Sequence, residues 1–384
     1  GATSLNDPLP QSLFVVDLSG DRARNVTDRQ PFSCTRVEWL DDARVLLGMN
    51  LGANTSLEVF EPATRKRTIV VRGGPVISDW DVDPESGALA AVASTPHAPS
   101  ELYVGSVEEK SVRRRTHLNP QLDELTLGRQ DVVWWTGPGQ FRIEGVVTYP
   151  TDYEPGRRYP TIVHPHGGPE GVSQNDFSTF AQLCAARGYV VLRPNYRGSG
   201  GYGVGFSTGD HNDLGGKEFE DILAGLRMLI DKGVADPEHV GMAGWSYGGY
   251  LSAMAATHYS DKFKAAVMGA GISNWVSFAG TTDIPHEMSL VHWNQWAYDD
   301  FAMYWERSPL SRIADSHTPT LILHGADDRR VHPGQALELY TALKRKGVPT
   351  QLVFYPRSGH GVGERAHRID LYQRQLDWFD KYVR

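Results

Sequence analysis

Cysteine is scarce. Cys34 and Cys184 are the only two in 384 residues. Two thiols so far apart give neither the paired spacing of a zinc site nor a disulfide framework. Cys184 lies in an apolar helical pattern and reads as a small core residue. Such cysteine usage fits a reducing, cytoplasmic compartment. Long apolar runs are lacking too. No stretch approaches the ~20 residues that span a bilayer, which argues against a membrane partner. The first residues show no signal-peptide pattern, and the chain opens Gly-Ala-Thr-Ser without Met, as a processed end or a fragment would. Basic charge is in deficit: 38 Lys and Arg against 46 Asp and Glu leave a net charge of −8. That sign argues against nucleic acid as a partner, because phosphate binding needs a basic face. The triplets Arg65-Lys66-Arg67 and Arg113-Arg114-Arg115 fall in β-prone runs and read as solvated strand edges.

What is present begins with a repeat. Leu13–Leu18, Leu57–Pro62 and Leu102–Val107 resemble one another, and polar turns lead on to further β-prone runs such as Thr68–Val71. Between them lie Val37–Leu40 with Val45–Leu47, and Asp79–Val82 with Ala88–Ala91, each a strand pair around a polar turn. The period is roughly 44 residues, the size of a four-stranded propeller blade. A generic β-sandwich accounts for the strands but not for the period. About two to three blades fit before residue 125, whereas a closed propeller typically has four or more. A partial propeller leaves open sheet edges. Residues 1–125 are therefore expected to belong to a longer protein, or to be completed by a missing propeller segment or a second copy in a homo-oligomer. Asn25-Val26-Thr27 and Asn54-Thr55-Ser56 match the glycosylation sequon, a pattern short enough to arise by accident.

From about residue 126 to 384 the pattern changes. β-branched runs at 145–149, 161–164, 189–192, 240–243, 265–268, 320–324 and 351–354 alternate with helical periodicity. Phe219, Ile222, Leu223, Leu226, Leu229 and Ile230 share one helical face, as do Ala336, Leu339, Tyr340 and Leu343. Strand–helix alternation predicts a mainly parallel sheet covered on both faces, with chemistry at the carboxyl ends of its strands.

Gly244-Trp245-Ser246-Tyr247-Gly248 follows one such strand and precedes the helix-like run Tyr250–Ala256. That is the context of a nucleophile elbow, whose tight turn excludes side chains at its flanks. A serine hydroxyl needs a base, and the α/β-hydrolase fold supplies one in the chain order Ser, acid, His. The strand Thr320–Gly325 runs into a loop holding Asp327 and Asp328, between which the pattern does not choose. His360, flanked by Gly359 and Gly361, closes the order. His166-Gly167-Gly168 ends an earlier strand, where a Gly-Gly turn aims backbone N–H groups at an oxyanion. A metal site on His164 and His166 has no accompanying carboxylate or cysteine cluster. No metal or cofactor is called for. Gly198-Ser199-Gly200-Gly201-Tyr202-Gly203 matches a dinucleotide fingerprint by letter, but no helix is expected to open from it. It reads as a flexible loop beside the site.

Taken together these segments resemble the prolyl oligopeptidase family of serine peptidases. The matches are His166–Pro169, Asn195–Ser199 with Gly201–Gly203, Gly244–Tyr250, His324–Val331 and Gly359–Gly361, in the family's order. The acylaminoacyl-peptidase and dipeptidyl-peptidase branches lie nearest. The resemblance implies an α/β-hydrolase catalytic domain at 126–384, a propeller that restricts entry to short peptides, and Asp328 as the acid beside Ser246 and His360. It further implies an oxyanion hole from the N–H groups of Tyr247 and Gly168, Arg330 on the substrate backbone, and Trp275 and Phe278 in the S1 pocket. The expected activity is hydrolysis of short peptides through an acyl-enzyme. Carboxylesterase and dipeptidyl-peptidase activities use the same triad and stay open. An intact Ser–Asp–His order speaks against a non-catalytic binding domain.

Overall fold

Two periodicities divide the chain, and each makes its own kind of sheet in the computed structural model, which describes residues 11–384 apart from 21 and 29. The opening Gly-Ala-Thr-Ser lies outside the described residues. Alternating runs between polar turns form short antiparallel strands. β1 (Phe14–Val16) pairs with β2 (Ala23–Asn25). Two four-stranded meanders follow. The first is β3 (Ser33–Trp39), β4 (Val45–Leu51), β5 (Asn54–Glu61) and β6 (Lys66–Arg72). The second is β7 (Val76–Val82), β8 (Ala88–Thr95), β9 (Ala98–Ser106) and β10 (Ser111–Arg114). Leu46, Leu57 and Val70 of the first share a core with Trp80, Leu89 and Tyr103 of the second. The repeated segments at Leu57 and Leu102 are the third strand of each meander.

Apolar runs make the second sheet, with the inner strands buried on both faces. β11 (Gln130–Thr136), β12 (Arg142–Thr148), β13 (Tyr159–Val163), β14 (Val190–Asn195), β15 (Ala235–Trp245), β16 (Ala265–Gly269), β17 (Thr320–Gly325) and β18 (Thr350–Tyr355) are ordered β11-β12-β14-β13-β15-β16-β17-β18. The two pairings β11–β12 and β12–β14 are antiparallel and the rest parallel. The helices are α1 (Thr179–Ala186), α2 (Val204–Ser207), α3 (Lys217–Asp231), α4 (Tyr247–Thr257), α5 (Trp275–Thr281), α6 (Phe301–Glu306), α7 (Gly334–Arg345) and α8 (Arg365–Tyr382). Alternation along the strands assigns their faces. Val163, Leu192 and Met242 pack with Phe219 and Ile222 of α3. Ile162, Val191 and Ala243 pack with Phe180 of α1 and Phe379 of α8. Cys34 and Cys184 are buried and free. Among the described residues no helix is long and apolar enough to cross a membrane.

The Gly198–Gly203 loop differs from expectation on two counts. A single helical turn, α2, does open after Gly203. The loop is also pinned rather than loose, because the tip of the β4–β5 hairpin inserts beside it. Gly52 N–H donates to Gly201 O at 3.1 Å, and Ala53 N–H donates to the buried Glu144 carboxylate at 2.7 Å. Tyr202 O–H donates to the same carboxylate oxygen at 2.5 Å. At the root of the loop Arg197 binds Asp221 of α3 through two side-chain N–H groups, at 2.8 and 2.7 Å, with side chains only 4% and 0% exposed. Removing the carboxylate strands a buried guanidinium, the costly half of such a pair. Asp221→Ala should therefore lose about 3–5 kcal/mol in urea denaturation; a loss under about 1 kcal/mol would match an exposed pair instead.

Candidate active site

Strand β15 runs straight into α4, and the turn between them leaves no room for side chains. A Cβ on Gly244 would collide with the Gly248 backbone, and one on Gly248 with Pro165 O. Ser246, at the apex, has φ 60° and ψ −120°, a region that L-residues rarely adopt. The strain lifts its hydroxyl above the sheet at the N-terminus of α4, where the helix dipole favours negative charge.

The base comes from the loop between β18 and α8. Ser246 Oγ lies 2.8 Å from His360 Nε2, and His360 Nδ1 lies 2.8 Å from Asp328 Oδ2. A carboxylate only accepts, so Nδ1 carries the proton and Nε2 presents its lone pair to the hydroxyl. Asp328 is buried whereas Asp327 is exposed, its own N–H bound to Ser358 O at 2.9 Å. Burial alone would raise the Asp328 pKa, but hydrogen bonds from His324 and His360 outweigh it and hold the carboxyl well below the usual range. The N–H groups of Arg330 and Val331 add bonds to Oδ1 at 2.9 and 3.0 Å.

The remaining expected positions fall as follows. Tyr247 is the first residue of α4, and neither its N–H nor that of Gly168 donates to another group among the described residues. The loop carrying Gly168 passes over the serine, with the Cβ position of Gly167 3.2 Å from Ser246 Cβ. The Arg330 guanidinium is engaged by Asp283 at 2.5 Å. Trp275 and Phe278 are 0% and 2% exposed in the main core, ring edge to ring face at 5.4 Å, with Trp275 also 6.3 Å from Tyr247. His164 and His166 diverge. His166 bridges to Ser199 Oγ at 2.8 Å, whereas His164 packs on Phe180 with tilted rings, centroids 4.6 Å apart. Burial pushes them down to about 4 and about 3, respectively.

Three contributors were not singled out from sequence. Trp245 Nε1–H donates to His360 O at 2.7 Å, tying the elbow to the histidine loop. His324 Nε2 stands 3.4 Å from Asp328 Oδ2. Glu218, fully buried on α3, accepts from Tyr247 O–H at 2.7 Å and from Gly215 N–H with the same oxygen, while its second oxygen has no partner among the described residues. Burial pushes Glu218 up to about 7 against those two bonds. Helical spacing alone signals only that position 218 flanks the apolar face, and a carboxylate there reads as solvated.

Two stability measurements follow. Ser246→Gly should gain on the order of 1–2 kcal/mol by releasing the backbone, whereas Ser246→Ala keeps the strain and should not; equal stabilities would refute the strain. For Glu218 the native pKa is raised, so the native state holds more protons and wild-type stability falls as pH rises from about 4.5 to about 7. Glu218→Gln lacks that proton, so it should gain about 3 kcal/mol on wild type across that window. A pH-independent difference would contradict it.

Residues 175–384 match the Prolyl oligopeptidase family. An uncharacterized peptidase of Bacillus subtilis, YuxL, is 31% identical over 311 residues, which is 80% of this chain and 47% of that protein. Dipeptidyl-peptidase 5 of Porphyromonas gingivalis is 26% identical, covering 97% of this chain and 55% of its own length. Among solved structures, an acylaminoacyl peptidase in complex with Z-Gly-Gly-Phe-chloromethyl ketone superposes with a TM-score of 0.85 at 25% identity, over 95% of this chain and 58% of that one. The chain thus spans about half the length of the curated relatives it matches. The catalytic sheet and its helices have the α/β-hydrolase architecture. With more than half of its length inside the family match, and with Ser246, His360 and Asp328 in line, the chain belongs to the prolyl oligopeptidase family.

Proposed function

We propose that the chain carries the catalytic machinery of a serine peptidase acting on short peptides, with acylaminoacyl-peptide substrates as the leading class. The observation that carries this reading is the line from Ser246 through His360 to Asp328, with 2.8 Å at each hydrogen bond. Ser246 Oγ attacks the scissile carbonyl while His360 Nε2 takes its proton, and Asp328 stabilises the imidazolium. His360 then returns the proton to the leaving amine, and water, activated by the same base, releases the acyl group. The N–H groups of Tyr247 and Gly168 take up the tetrahedral oxyanion, at roughly 2.7–4 kcal/mol per donor in other hydrolases. Arg330 would hold the substrate backbone after exchanging partners with Asp283. Trp275 and Phe278 form the apolar wall of the S1 pocket. The chloromethyl ketone bound by the structural relative ends in Phe, which suits such a wall.

A dipeptidyl-peptidase is the second reading, favoured by the relative of that name, which aligns over 97% of this chain. The same proposal extends to architecture. Residues 1–125 are read as two propeller blades and 126–384 as the hydrolase, supported by the two meanders that start at Ser33 and Val76. Exposed Trp39 and Val37 on β3 favour further blades, or a second copy, against that face. Two free, buried cysteines suit a cytoplasmic setting.

Ser246→Ala should lose on the order of 10⁴-fold or more in kcat. Asp328→Asn should lose on the order of 10⁴-fold, and Asp327→Asn little; the reverse ranking would reassign the acid. Rates on N-acylated peptide amides, unblocked dipeptidyl amides and simple aryl esters separate the readings. Cleavage of esters alone would make the chain an esterase.

A further inference from the structure

On the α1–α8 face of the catalytic sheet, behind the His360 loop, lies a cavity of about 490 Å³, within the range of small-molecule sites. Gly361 and Val362 line it beside Trp245, and the first turn of α1 and the start of α8 complete it. Its apolar wall is Phe177, Phe180, Trp245, Val362, Leu371 and Tyr372. This wall stands apart from the aromatic cluster of Trp275 and Phe278, which packs with α3 and α4 on the other face.

Besides the His164 imidazole, three polar features line this cavity without a hydrogen-bond or ion-pair partner among the described residues. Gln375 lines it and is 8% exposed, yet its amide makes no hydrogen bond among the described residues. Arg368, where the cavity meets a second hollow of about 420 Å³, has no ion-pair partner among the described residues. Among the described residues nothing accepts from the Thr179 and Phe180 N–H groups that open α1, since the Ser178 cap satisfies Ala181 N–H and Gln182 N–H instead. Although Gln375 is largely buried, its amide atoms stay accessible from the cavity, where a ligand can hydrogen-bond them. A cation beside a helix N-terminus asks for an anion.

We propose that this cavity binds an N-acylated apolar amino acid, with its carboxylate between Arg368 and the first turn of α1, its amide on Gln375 and its side chain against Trp245. Arg368 and Gln375 lie two helical turns apart on α8, so they address separate groups of one ligand. Trp245 holds His360 O at 2.7 Å, so an occupant stacked on the indole touches the element that positions the base. Under the proposed function this ligand class is the amino-terminal product. The regulatory meaning rests on that reading; the binding does not.

Calorimetry on the whole chain, with Ser246 first blocked by a fluorophosphonate, keeps the two apart. N-acetylphenylalanine should bind at one saturable site per chain. Replacing its carboxylate by a carboxamide, or making Arg368→Ala at this exposed position, should weaken binding roughly 10-fold. Gln375→Leu should weaken N-acetylphenylalanine but not 3-phenylpropionate, which lacks the amide. No saturable heat at millimolar ligand, or affinity indifferent to Arg368→Ala, would overturn the proposal whatever the peptidase assays give.

Discussion

A hydroxyl becomes a nucleophile when a lone pair of the right basicity lies along its O–H direction, and the rest of this catalytic sheet serves that alignment. Ser246, His360 and Asp328 come from the ends of β15, β18 and β17, and a strand order that sets β16 between the first and third fixes their separation. The histidine depends on both neighbours. Asp328 sets its tautomer, and Trp245 anchors its backbone to the turn that carries the serine. A shift of either loop breaks the line without removing any of the three side chains.

Electrostatics reinforces the geometry. Asp328 keeps its charge in a dry site because two imidazoles and two backbone N–H groups surround it. Glu218 has fewer partners, so burial raises it instead. The two carboxyl groups are thus driven in opposite directions around one elbow: the first is hydrogen-bonded to the His360 imidazole, and the second, bonded to the Tyr247 phenol, braces the residue that follows the serine. Glu144 does comparable work at the edge, where its carboxylate joins the β4–β5 hairpin to Tyr202. The first meander thereby reaches the loop beside the active site.

Much of this was legible in the residues because it depends on local chemistry. The glycines at 244 and 248 announce the elbow, since nothing larger fits, and period-2 and helical patterns mark most strands and helices. β11 was missed. Its Gln130-Asp131 start and exposed Trp134 lack the doubly buried run of the parallel strands, because it is an antiparallel edge. The residue pattern by itself did not separate Asp327 from Asp328; the family resemblance pointed to Asp328, and burial and the direction of one loop distinguish the two. The Gly198–Gly203 loop looked free because its restraints, Glu144 and the β4–β5 tip, are distant in sequence. Trp275 and Phe278, which the resemblance assigns to the S1 pocket, pack within the main core, and composition does not separate a pocket wall from a core.

The alignment is tested most directly by where an acyl-mimicking electrophile attaches. Treated with a fluorophosphonate and mapped by peptide mass spectrometry, the chain should carry one adduct, on Ser246, and His360→Ala should abolish rapid labelling because no base remains to activate the hydroxyl. Adduct at another residue, or labelling as fast without the imidazole, would contradict the alignment from which everything else was built.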